Sequence, residues 1–396
     1  MDKSAWRRNR AGKGIRQLFE MKEVMEGMRK KLYIFGAHSR AQTLAVYLKY
    51  LYPEITVEGF LYDNEEPNPA KIEEVPVIYL EQKPVSDLSL HTDVPVFLGT
   101  RGVYHEELTG KLKCLGFQEI HPVTVELDLK LRNAYLKKYF AEVGREFVKI
   151  DDLPKVCGSK HSPAGAISSA AVYVVRSAFD KPLRKRYREA PYETAIQAGA
   201  ALTSKRLPEV CLTDDTGEHI SDKNRQFCEL TALYWIWKHA PEEILGLSHY
   251  RRHFLLPEDW VRRMDANGID VILPTPLYVA PSLAGNYKNR HDSEDWEHMM
   301  QCLKEREAET WEEAVDFFRG NLYSPCNMLI MRRNVLDDLC SWLFPLLFQV
   351  AEHRGQREDP YQNRYPGFLS ERLITFFIEK NREKYRVVYA DKNFLP

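Results

Sequence analysis

Along the chain, short runs of consecutive apolar residues alternate with longer stretches in which apolar residues recur every three or four positions. The first spacing predicts buried strands and the second predicts helices. From Lys31 the chain reads KLYIFGAHSRAQTLAVYLKYLYP: an apolar run, a glycine turn, then helical spacing. ITVEGFLYDNEEPNP predicts a second strand ending in a polar turn at Asp63 and Asn64, and VPVIYL, VPVFLGT and FQEIHPV supply further short runs. Residues 31–124 therefore read as a small α/β domain with a Rossmann-like parallel sheet. Residues 125–170 read as a long charged helix, over about 126–148, followed by DDLPKVCGSKHSPAGAISSA, which has the Pro, Gly and Ser content of a linker. A basic arm at residues 1–30 precedes all of this, and a second domain spans residues 171–396.

That second half repeats the alternation. AAVYVVRSAF, ILGLSHYRRHF, VILPTPLYV, SPCNMLIMRR and YRVVYA predict strands. NRQFCELTALYWIWKHAP, CLKEREAETWEEAVDFFRGN, VLDDLCSWLFPLLFQVAEHR and FLSERLITFFIEKN predict helices. No internal repeat or low-complexity tract interrupts them.

Composition narrows the classes of partner. The 396 residues carry 56 Lys plus Arg against 57 Asp plus Glu, a formal charge of -1. A nucleic-acid binder needs a basic excess to displace counterions, so nucleic acid is excluded as the expected partner. At 44% hydrophobic and 12% aromatic, the chain can bury a large core, and its 21 Tyr and 7 Trp exceed what a core alone requires. Rings with a polar tip also line sites for sugars and bases. The seven cysteines are scattered and lack a C-x-x-C, which argues against a disulfide framework and a zinc ribbon. With no signal-like or membrane-spanning apolar run, a cytoplasmic protein is expected, with peripheral contact at the inner membrane face open through the basic arm.

Several polar groups stand where chemistry is plausible. FGAHSRA follows a strand and opens a helix, a context for phosphate, but only Gly36 of a three-glycine fingerprint is present. HYRRHF places His249, Tyr250, Arg251 and Arg252 at the end of an apolar strand, where α/β folds put ligands and where arginine forks suit a diphosphate. Asp214 and Asp215 offer either a divalent-metal site or turn chemistry. Lys223 and Asn224 open a helix. NYKNRHDSEDW supplies Tyr287, His291 and Asp295 as candidate bases or hydroxyl binders. Asn327, Glu371 and Arg372 sit in apolar surroundings, where polar groups are costly unless paired, so they form either a structural set or a site.

IQAGAA, DDTGEHISDKNRQFCELTALYWIWKH, GLSHYRRHF, YKNRH with the later DW, CNMLIM, WLFPLLF and GFLSERL together resemble the bacterial domain-of-unknown-function family 4422, over residues 171–390. The resemblance implies a GT-A-like α/β glycosyltransferase of capsular or exopolysaccharide biosynthesis. Such an enzyme moves a sugar from a nucleoside-diphosphate donor, UDP-linked in expectation, to a glycan acceptor that is lipid-linked in many such systems. By that resemblance Tyr173, Arg176, Lys223, Asn224 and the residues His249 to Arg252 bind donor. His291, Asn327 and Arg372 contact sugar or acceptor, and Glu371 or Asp295 is the catalytic base. HYRR stands where the family type carries an Asp-x-Asp metal motif, which leaves Mg²⁺ or Mn²⁺ at Asp214 and Asp215 an open requirement. The N-terminal domain resembles the nucleotide-sugar-binding domain of bacterial sugar acyltransferases. Two other readings compete: a non-catalytic nucleotide-sugar-binding or scaffold protein, and an oxidoreductase using the Gly36 loop.

Overall fold

A computed structural model describes residues 31–65, 67–80, 90–155, 167–184, 187–210 and 212–395. The expected basic arm at 1–30 and positions 156–166 of the expected linker lie outside the described residues. The chain forms two compact α/β units, the first ending at Glu146 and the second beginning at Phe147.

In the first unit, β1 (Lys31–Phe35), β2 (Thr56–Tyr62), β3 (Lys71–Ile72), β4 (Val75–Tyr79), β5 (Val96–Leu98) and β6 (Ile120–Pro122) form one sheet in the order β3-β4-β2-β1-β5-β6. Every pairing is parallel except β3 with β4. Helices Ser39–Leu51, His105–Cys114 and Val125–Glu142 accompany it. The order reverses beside β1, so the loops after β1 and β5 meet. Gly36 there has φ +110°, and a Cβ on it would lie 3.3 Å from the Thr100 methyl, which restricts the position to glycine. Arg40 Nη1 donates to Thr100 O at 3.2 Å, closing the loop over the place where a dinucleotide needs open backbone. The third helix is shorter than its apolar spacing suggests: it ends at Glu142, and Val148 instead accepts from Tyr389 N in the second unit's own sheet region.

The second unit contains β7 (Ala170–Arg176), β8 (Glu193–Gln197), β9 (Leu212–Thr213), β10 (Ile244–His249), β11 (Val271–Pro274), β12 (Leu277–Tyr278), β13 (Leu322–Tyr323), β14 (Leu329–Arg332) and β15 (Val387–Ala390). Seven of them order as β15-β11-β14-β10-β7-β8-β9, while β12 and β13 form a separate ribbon. Within the seven-stranded sheet of the described residues only β14 runs antiparallel, against both β10 and β11. Alternation along β7 divides the core. Val172 packs with Ile244, Ile330, Trp260 and Met264 on one face, and Tyr173 meets Trp235 of helix Leu230–His239 on the other. β7 is the point where the strand order reverses, with β8 on one side and β10 on the other. The carboxyl ends of β7 and β10 therefore border the crevice in which α/β sheets receive ligands.

Four local features depart from the periodicity. The helix expected over NRQFCELTALYWIWKHAP breaks at Cys228, φ +49°, into Asn224–Phe227 and Leu230–His239. VILPTPLYV divides between two sheets as β11 and β12, because its prolines cannot both serve a continuous ladder. CLKEREAETWEEAVDFFRGN is the end of helix Ser293–Arg306 plus helix Trp311–Arg319. β8 and β9 were not predicted, since their polar residues carry no apolar run. Among the described residues no helix is long and apolar enough to cross a membrane.

Candidate functional site

Two stretches of backbone leave the crevice strands. After β7, Ser177 N donates to Asp180 Oδ2 at 2.7 Å, which turns the chain at once. Arg176, at the strand end, pairs with Glu189 at 2.6 Å. After β10, His249 N and Arg252 N exchange bonds with each other's carbonyls, making a tight turn that displays Tyr250 and Arg251. Arg251 Nη2 donates to Lys181 O at 3.4 Å, which joins the two loops, while its Nε is buried with no hydrogen-bond partner. A buried guanidinium nitrogen left unpaired is costly, and a bound anion would satisfy it. His253 anchors the turn from behind: its Nδ1 lies 2.8 Å from Glu193 Oε1, both side chains are inaccessible, and the ring stacks on Tyr187 at 3.8 Å.

Beneath the turn lies a second feature, the dipeptide Cys326–Asn327 at the start of β14. Both residues have positive φ, +75° and +51°, a conformation that L-residues adopt at a cost of about 1 kcal/mol or more each. The strain arranges three ionisable groups. Cys326 O contacts His249 Nε2 at 2.6 Å, Cys326 N donates to Glu371 Oε1 at 3.0 Å, and Asn327 Nδ2 donates to Glu229 Oε1 at 2.8 Å. Asn327 is held in turn by Gly367 O and by the Ser370 hydroxyl. Strained backbone of this kind is kept where the surroundings over-determine it, which is common at functional sites.

The electrostatics follow from burial. His249 is pushed down from its ordinary value by desolvation, so it is neutral at pH 7. The Glu371 carboxyl is pushed up by desolvation and by the Glu229 charge, against the pull of Arg372 and Arg252. The Cys326 thiol is raised to about 11 by burial and is no nucleophile at neutral pH. Asp180 is raised to about 6, again by burial, with Arg176 and Arg251 opposing. The two arginines therefore act on different sides: Arg251 on the loop after β7 and Arg252 on the carboxylate cluster. The Glu371 side chain is 20% exposed.

The model of the family described as Domain of unknown function (DUF4422) matches residues 180–382. The chain belongs to this family. No curated protein matches it. The apo structure of the bifunctional glycosyltransferase WbbM is similar, with TM-score 0.49 and 24% identity over 57% of this chain and 45% of that one, so this chain spans less than half the length of that structure.

In this DUF4422 chain the residues predicted from sequence scatter over three roles. His249, Arg251, Arg252, Asn327 and Glu371 come together at the crevice, and Tyr250 forms its outer wall under the Arg251 guanidinium. Asn327 is 2% exposed, so it orients Glu229 and the turn instead of touching a sugar. Arg372, 3% exposed, is sandwiched between the Tyr287 and Tyr323 rings and bonds Asn286 and Phe368 O; it supports its helix. His291 stacks on Phe368, one helical turn from Glu371, and burial lowers it to about 4.

Four expectations are corrected. Tyr173 points into the core, bonding Glu242 far from the strand's carboxyl end. Asn224 packs on Gly199, where a Cβ would lie 2.7 Å away, and bonds Cys228 O, while Lys223 beside it is solvent-exposed. Asp295 is held by Arg354 and Arg357, and neither partner belongs to the Glu371 cluster. Asp214 has no free lone pair in the geometry for a cation: it accepts from Gly199 N, Ala200 N, Ser221 and Thr231, and Asp215 pairs with Arg206. Among the described residues no three His, Cys, Asp or Glu side chains are grouped to hold a metal, and the turn after β10 offers guanidinium where carboxylate would be needed. This donor set does not fit Mg²⁺ or Mn²⁺.

Sequence reasoning missed Glu229, Arg364 and Asp180. Glu229 follows the helix break at Cys228, a positive-φ residue with no signature in sequence. Arg364 Nε approaches Cys228 Sγ at 2.9 Å and covers the break. A cavity of about 640 Å³ lined by Trp342, Phe377, Lys380 and Tyr385 lies near the far end of helix Tyr365–Lys380, about 13 Å along the axis from Glu371. Among its charges Lys380 pairs with Glu307 and Lys384 with Asp338.

The Cys326–Asn327 turn has a direct test. Asn327→Gly and Asn327→Ala both remove the bonds to Glu229, Gly367 and Ser370, and each is expected to cost about 2 to 3 kcal/mol. Alanine adds the positive-φ penalty, so urea unfolding should find it less stable than glycine by about 1 kcal/mol. Equal stabilities would mean that the turn relaxes.

Proposed function

We propose that the second unit is a glycosyltransferase of GT-A-like type that moves a sugar from a nucleoside-diphosphate donor to the hydroxyl of a glycan acceptor. The observation that carries this reading is the pairing, across one crevice, of a partly exposed raised carboxylate, Glu371, with the arginines after β10, one of which has a buried unpaired Nε. In the proposed displacement the acceptor hydroxyl gives its proton to Glu371 as its oxygen attacks the anomeric carbon. The carbon–oxygen bond to the diphosphate breaks, and Arg251, whose buried Nε has no partner, neutralises the charge that develops on the departing oxygens, while Arg252 stands beside the Glu371 carboxylate. Arg176, at the end of β7, would face the nucleotide. A base with raised proton affinity is better matched to an alcohol than an ordinary carboxylate. His249, neutral and bonded to Cys326 O, fixes the turn.

The test is release of nucleoside diphosphate from a panel of UDP-, GDP- and TDP-sugars, with water or added saccharide as acceptor, in excess chelator. The expected result is release that chelator leaves intact, because the guanidinium groups supply the positive charge. Complete loss in chelator, restored by Mn²⁺, would overturn the metal-independent mechanism. Donor binding without release from any sugar nucleotide would instead favour a non-catalytic binding protein.

A further inference from the structure

Two large rings in the second unit stand out in water beside the crevice: Phe179 is 76% exposed and Phe394 is 60% exposed. Each sits among positive charges. Lys205 Nζ donates to Ala178 O at 3.0 Å, immediately before Phe179, and Lys181 follows two residues later. Lys181 O accepts from Arg251, and the neighbouring Arg252 guanidinium lies 5.5 Å from the Phe394 ring centroid. Leu395 N donates to Arg251 O at 2.8 Å, which fixes the segment carrying Phe394 against the same turn. The contacts thus connect Lys205, Phe179, Lys181, Arg251, Arg252 and Phe394 into one strip. Arg184 and Arg188, on the loop that continues from Lys181, are also exposed.

The carboxylates nearby do not neutralise the strip. Asp180 turns inward to accept from Ser177 N, and Glu189 and Glu209 are directed at Arg176. Exposed rings interspersed with lysine and arginine are the pattern by which a protein surface lies against anionic headgroups: charge attracts, and the rings enter the boundary between headgroup and acyl chain.

We propose that this strip docks the protein onto an anionic lipid bilayer, with the mouth of the crevice turned toward the membrane surface. Vesicle binding needs no turnover, so the proposal stands apart from the transferase reading. Its consequence for that reading is that an acceptor carried by a membrane lipid would meet Glu371 without leaving the surface.

The full chain is tested by cosedimentation with phosphatidylserine-containing vesicles and with pure phosphatidylcholine vesicles. The wild type should partition onto the anionic vesicles and be released by high salt. K181E/K205E and F179S/F394S should each lower the partition coefficient tenfold or more, with unchanged thermal unfolding showing that the fold survives. None of these four residues belongs to the proposed transfer machinery. Retention of wild-type partitioning in both variants would overturn the proposal, as would equal binding to neutral vesicles. Release by inorganic pyrophosphate at matched ionic strength would also overturn it, by showing that the strip is a site for free phosphate.

Discussion

Glu371→Gln should abolish sugar transfer, lowering turnover by about 10² to 10⁴, while leaving donor affinity within a few-fold of wild type. The amide keeps the shape of the carboxylate and can still accept from Cys326 N, so the turn at Cys326–Asn327 survives and only the proton acceptor is lost. The pH profile separates this from a structural effect. Burial raises the Glu371 carboxyl above the usual range. As pH falls through that raised value the carboxylate takes up a proton and the rate should drop, so the acid limb of the wild-type profile lies at higher pH than for an exposed glutamate. The Gln variant should show a low, flat residual rate in that region. A variant with wild-type turnover, or one whose acid limb is unchanged, would remove Glu371 from the chemistry and leave Glu229, on the other side of the same turn, as the next carboxylate to replace.

The second large effect is on stability. Asp214 is completely buried and accepts four hydrogen bonds, from two backbone amides and two hydroxyls. These join the loop after β8, the segment at Ser221 and the start of helix Leu230–His239. In Asp214→Asn one carboxylate oxygen becomes an amide nitrogen facing a backbone N–H and a hydroxyl, so the contact with the backbone N–H turns repulsive and the hydroxyl must rotate to accept. The expected loss is about 3 to 5 kcal/mol, or about 10 °C in the unfolding midpoint of a unit this size. Chelator should leave the wild-type midpoint unchanged. A fall of under about 2 °C on substitution, or a chelator-sensitive midpoint, would reverse the assignment and return Asp214 to the role of metal ligand.

These two residues also mark what a sequence can and cannot disclose. Glu371, Asn327 and His249 were legible because each is a polar residue beside or inside an apolar run, where an unpaired polar group would be costly. Asp295 was selected on other grounds, as a candidate base in the polar stretch NYKNRHDSEDW, and it belongs to a structural ion cluster: Arg354 and Arg357, which hold it, come from 59 and 62 residues away, a proximity no local pattern encodes. Asp214 was ambiguous in sequence between metal and turn chemistry, and only the four donors resolve it. The apolar runs marked β7, β10, β14 and β15 correctly because these strands are buried on both faces. β8 escaped notice because Glu193 is buried through its bond to His253, so a charged residue occupies a core position. Glu229 escaped because the break at Cys228 depends on a backbone angle for which cysteine gives no cue.

The Cys326–Asn327 turn has one more implication, for the order in which the protein assembles. Its bonds reach His249, Glu371 and Glu229, which lie 77, 45 and 98 residues away along the chain. No short segment holds any part of this arrangement by itself, and contacts of such sequence separation form only after the intervening loops have closed. The crevice is therefore a late product of folding. A chain that has already collapsed and formed its helices would still lack the geometry of the site until β14 enters the sheet between β10 and β11.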